Sequence, residues 1–165
     1  MKHLITIIKG DYLQRTRSYA FLVTLAITLY MAYTFVPPVD ANYTTVRIGN
    51  YVGDCNSAWI GHVTAMMTSV FLTLIGFFLI NNSVKKDLET EVGMIIATTR
   101  VSNFKYLMSK VLSNFLVLLS IVGIVLFMSI LVFFLRSKDF PFEITQFFLP
   151  YVVVTLPSMF FVSCV

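Results

Sequence analysis

Few residues here have the chemistry of a metal or catalytic centre, and they are scattered. Asp54, Cys55 and His62 are the nearest to a ligand set. Structural metal sites need ligands at regular short spacings, which these three lack. His62 stands alone near the end of an apolar run, a position that suits a hydrogen-bonded packing residue. There is no Gly-x-x-x-x-Gly-Lys phosphate loop, no Gly-x-Ser-x-Gly elbow and no His-Glu-x-x-His pair. The two cysteines, Cys55 and Cys164, cannot make a disulfide framework. Asn42-Tyr43-Thr44 matches a glycosylation sequon, a pattern common by chance. No catalytic constellation, cofactor or metal is expected, and the chain reads as a non-enzyme.

The elements that carry these residues are set by composition. Of 165 residues, 58% are hydrophobic and only 12% charged, with a mean hydropathy of +0.84. Soluble domains carry about 25% charged residues, so a soluble globular domain, a disordered tail and a disulfide scaffold are all excluded. The gaps between charges give four apolar segments: 18–38, 59–80, 111–135 and 144–165. Each is about the length of a bilayer-spanning helix. The runs are apolar all round, without the alternation of a membrane β-strand. The expected fold is therefore all-α, a polytopic transmembrane bundle with four spans. The first segment is long for a signal peptide, and Val36-Pro37-Pro38-Val39 offers no small-residue cleavage site.

No Asp, Glu, Lys or Arg falls inside any of the four runs. Intramembrane carboxylates mark ion relays, so their absence counts against an ion-coupled transporter. The cations lie outside, and unevenly. Nine flank 1–17 and 81–110, against three in loops 39–58 and 136–143. By the positive-inside tendency the N-terminus and the central loop are cytoplasmic. The net charge of +4 is a topology signal, and no basic soluble module exists to hold nucleic acid. Tyr19, Tyr51, Trp59, Tyr106 and Tyr151 fall near span ends and read as interfacial anchors.

Residues 1–17 place Leu4, Ile5, Ile8 and Tyr12 at helical spacing and read as a short amphipathic helix on the membrane surface, or else an extension of the first span. In the second span, Gly61, Ala65, Ser69 and Thr73 form a small-residue stripe that permits close helix packing. Pro150 and Pro157 are expected to kink the fourth span, with a break near 155–158. The central loop is polar at its ends with an apolar middle. Leu88, Val92, Ile95 and Thr99 share a helical face, and Ser102 or Asn103 caps the helix that enters the third span. A helix–break–helix element at the membrane surface can take force from a soluble partner.

The stretch Lys85-Lys86-Asp87 through Gly93, then Ile95-Ile96-Ala97-Thr98-Thr99-Arg100-Val101-Ser102-Asn103, ending Ser109-Lys110-Val111-Leu112-Ser113-Asn114, resembles the permease subunits of type-2 ATP-binding-cassette transporters. Asn56-Ser57-Ala58-Trp59-Ile60-Gly61 and Leu149-Pro150 with Thr155-Leu156-Pro157 extend the resemblance over most of the chain. It implies a six-span permease half that dimerises with a second half. It implies a separate cytoplasmic ATPase docked on the central loop as a coupling helix, with Leu88, Glu91, Gly93, Ile95 and Thr98 as the docking residues. Residues 1–17 would match the family's surface helix. Two positions depart from the pattern: Arg100 stands where a proline usually follows the Thr pair, and Met94 where a glutamate often follows the glycine. The family also has two further spans, so the chain reads as the N-terminal portion of a longer permease. The expected function is transport across the cell membrane, in the direction of export, driven by the partner's ATP hydrolysis. The alternative is an anchor or sensor region of a larger membrane protein.

Overall fold

The structure is a computed structural model that describes residues 2–38, 41, 43, 45–47, 49–51, 53–81, 102–137 and 140–164. The fold is all-helical: 81% of these residues are helical and none forms a strand. The helices are α1 (Lys2–Thr16), α2 (Tyr19–Thr34), α3 (Ser57–Asn81), α4 (Asn103–Arg136), α5 (Ile144–Pro150) and α6 (Leu156–Ser163). Tyr151–Thr155 between α5 and α6 is a π-helical turn. Among the described residues, three helical segments are long and apolar enough to cross a membrane: Ser57–Ile80, Asn103–Arg136 and Ile144–Ser163. The first segment forms a shorter apolar helix, α2, of 16 residues.

Local chemistry explains the boundaries. Ser18 caps α2 by accepting a hydrogen bond from the Phe21 amide at 3.2 Å, which separates α1 from α2. Asn56 Oδ1 accepts from the Trp59 amide at 2.8 Å at the start of α3. Ser102 takes the cap position of α4 with extended backbone and no side-chain cap bond. The last segment does not end near residues 155–158. It runs helically from Ile144 to Ser163 through the π-helical turn. Pro157 has no amide to give Val153, and its ring would crowd that carbonyl. A wider turn directly before it relieves the crowding, and Leu156 N bonds back five residues to Tyr151 O.

Contact registers fix how the long helices run. Gly61 meets Phe147, Ser69 meets Thr155 and Gly76 meets Val162. All three pairs are 86 residues apart, so α3 and the last segment run in the same direction. Gly76 also meets Leu118, and Asn114 bonds Ser163 near the opposite terminus of the last segment. So α4 runs against both, and its buried face (Lys110, Asn114, Val117, Ile121, Val125, Val132) keeps a three-to-four residue spacing. One end of the bundle is closed by packed rings. Phe133, Phe142 and Phe147 lie 5.2 to 6.2 Å apart, and Arg136 stacks on Tyr33 at 4.5 Å. At that end Ser57 Oγ accepts from the Glu143 amide and donates to Pro141 O.

Candidate functional site

The residues expected to dock a partner, Leu88, Glu91, Gly93, Ile95 and Thr98, lie outside the described residues. The small-residue stripe lies within them. A Cβ on Gly61 would sit 2.6 Å from the Phe147 carbonyl oxygen, so the two backbones touch here. Ala65 is fully buried, and its carbonyl accepts from Thr155 Oγ1 at 3.2 Å. Ser69 Oγ bonds Thr155 Oγ1 at 3.0 Å. Thr73, one turn on, is half-buried.

This contact carries a buried hydroxyl cluster that no sequence motif announces. Tyr151 is 2% exposed, within the bundle and not at an interface as its position near a span end implies. Its hydroxyl donates to Thr64 Oγ1 at 3.0 Å and lies 2.9 Å from Ser129 Oγ. Thr64 Oγ1 donates in turn to Ile60 O at 2.7 Å. Each hydroxyl has one proton. The chain Ser129 to Tyr151 to Thr64 to the Ile60 carbonyl uses every proton in one direction. It joins α4, the π-helical turn and α3. The only advance signal was the frequency of Ser and Thr in runs free of Asp, Glu, Lys and Arg. Of the other aromatic anchors, Tyr19 (88% exposed) and Tyr51 do face outward. Trp59 is half-buried and lies on the Gly53 backbone, where any Cβ would overlap the indole.

A second polar seam joins α1 to α4. Lys110 Nζ pairs with Asp11 at 2.7 Å, both side chains largely buried (5% and 15% exposed). Lys110 also lies over the Tyr106 ring at 5.5 Å. One turn on, Arg15 bonds Asn114 Oδ1, and Tyr12 reaches Ser120 at 2.8 Å. So α1 attaches to the bundle mainly by polar groups. Ile5, on the expected apolar stripe, is 63% exposed. Lys110 is the last charge before the apolar part of α4, so this seam lies where α4 turns apolar.

At the other end an open cleft of about 450 Å³ is lined by Asp54, Asn56, Trp59, His62, Gln146 and Leu149. Asp54 and His62 thus share a surface. Among the described residues, no group of three His, Cys, Asp or Glu side chains could hold a metal. Nearby, burial first and the Asp54 carboxylate second push the Cys55 thiol pKa up, with Arg136 pulling the other way. Compared with known proteins, the chain matches no family model, no curated protein and no solved structure.

Proposed function

We propose that this chain belongs to a membrane permease of the type-2 ATP-binding-cassette kind. It has four spans, with its N-terminus and the 81–110 loop in the cytoplasm. The observation that carries the reading is the sequence of that loop, from Lys85 through Thr98-Thr99-Arg100 to Ser113-Asn114, set between two long apolar helices. The bundle geometry supports it. The carboxyl end of α3 and the amino end of α4 lie at the same end of the bundle, with Gly76 on Leu118. The 82–101 segment therefore begins and ends where two spanning helices can both be moved by one docked partner. A soluble ATPase on Leu88, Glu91, Gly93, Ile95 and Thr98 would bias the bundle between two packings through its nucleotide states. A second permease half would complete the pathway, and the cell membrane is the expected location. The spans hold no charge, which favours an amphipathic or apolar cargo; export is the proposed direction.

Purification of the full-length protein from its native membrane tests this. An ATPase subunit should co-purify, and Gly93→Asp or Ile95→Asp should release it while the permease stays folded. Absence of any ATPase, or association indifferent to both substitutions, would sink the proposal.

A further inference from the structure

We infer that α1 and the adjoining groove on α4 form a seat for an anionic phospholipid. Steps of four residues drift only about 40° around a helix. Ile5, Lys9 and Leu13 therefore share one face of α1, and all three are exposed. Arg17, exposed in the bend after α1, continues this row of alternating apolar and cationic side chains. The row contains no acid. The one acidic residue of α1, Asp11, is turned the other way and held by Lys110. Apolar side chains and cations in one exposed row suit an interface of acyl chains and phosphates.

Depth is fixed by the same ion pair. Lys110 marks the point where α4 becomes free of charge, and Asp11 lies beside it, two residues from Lys9. Lys9 thus stands at headgroup level, and Arg17 is the last charge before the 18–38 apolar run. Three residues after Lys9, Tyr12 lines an apolar groove of about 290 Å³ with Leu116, Leu119 and Ser120. These α4 residues lie six to ten positions beyond Lys110, roughly 9 to 15 Å into the apolar zone at 1.5 Å per residue. A phosphate at Lys9 and Arg17 with an acyl chain along Tyr12 and Leu119 satisfies both features at once. The seat does not depend on any ATPase.

The test is lipid retention by the full chain, read by native mass spectrometry after reconstitution in equal phosphatidylglycerol and phosphatidylcholine. The wild type should retain phosphatidylglycerol preferentially. Lys9→Gln with Arg17→Gln should weaken it roughly fivefold for each cation removed. Leu119→Trp, which fills the groove, should lower retention with both cations in place. Arg47→Gln, a charge removed from the other side, should leave the preference unchanged. Equal retention of the two lipids by the wild type, or an undiminished preference in the double variant, overturns the inference. Displacement by soluble glycerol phosphate would overturn it too, since a free phosphate would then suffice.

Discussion

Tyr151 has one proton to give and sits between two oxygens that each have another outlet. If it becomes Phe, Ser129 can return its proton to the Val125 carbonyl at 2.9 Å, and Thr64 keeps the Ile60 carbonyl. No proton is stranded, so the loss is that of the interhelical bonds alone. Such bonds average about 0.6 kcal/mol in membranes and reach roughly 1.7. Tyr151→Phe should therefore destabilise by about 1 kcal/mol, read as a lower unfolding midpoint in detergent. Gly61 is less forgiving. Alanine would gain about 1 kcal/mol of helix propensity. But its Cβ would fall 2.6 Å from a backbone oxygen, which cannot swing aside. Overpacking costs roughly 1 to 3 kcal/mol. Gly61→Ala should thus be neutral to destabilising and Gly61→Leu clearly destabilising, in the same assay. Cys55 gives a pH prediction. Its raised pKa keeps the neutral thiol dominant at pH values where an ordinary cysteine already forms thiolate. In detergent at pH 8, exposed Cys164 should react with iodoacetamide before Cys55, and the Cys55 rate should keep climbing above pH 9.

At the scale of elements, α1 is joined to α4 by two polar pairs in matching order, Asp11 with Lys110 and Arg15 with Asn114. Both are 99 residues apart, while Tyr12 reaches further along α4 to Ser120. Removing one partner of a largely buried pair leaves the other charge unmatched, at a cost of roughly 3 kcal/mol. Asp11→Asn and Lys110→Met should each loosen α1, seen as protease cleavage between α1 and α2. The double variant should be less damaged than the sum of the two. Additive damage would mean that the pair is not coupled. The sequence reading placed α1 on the membrane through Leu4, Ile5 and Ile8. It does not reveal the Asp11 contact with α4, because Asp11 acquires its meaning only from a lysine 99 positions away. Runs without charge located α3, α4 and the last segment closely, since lipid tolerates little else there. Ser102 or Asn103 is the cap expected for α4; the helix starts at Asn103, eight residues before its apolar stretch, with Ser102 in the cap position but without a side-chain cap bond. Tyr151 was misplaced for the same reason as Asp11. Its partners lie on α3 and α4, and a phenol near a span end suits an interface equally well until the packing is known. Pro157 marked an irregularity whose effect fell on the turn before it.

The whole molecule has two chemically different ends. Arg15, Lys110 and the close of α6 share one, since Arg15 bonds Asn114 and Asn114 bonds Ser163. Ser57, Glu143, Arg136 and the ring cluster share the other. Helix α4 has 34 residues, about 51 Å at 1.5 Å each, against about 30 Å of hydrocarbon. In a bilayer α4 would therefore project, and Lys105 and Lys110 favour its amino-terminal side. Orientation then follows from where cations are retained. With Lys2, Lys9, Arg15, Arg17, Lys85, Lys86, Arg100, Lys105 and Lys110 against Arg47, Arg136 and Lys138, the proposed orientation puts the richer end in the cytoplasm. In a variant with Cys55 and Cys164 replaced by Ser, Asn42→Cys should react with an impermeant maleimide added to intact cells. Arg100→Cys should react only after the membrane is opened. Labelling of Arg100→Cys from outside would invert the chain, and a partner that hydrolyses cytoplasmic ATP could then not reach the 81–110 loop.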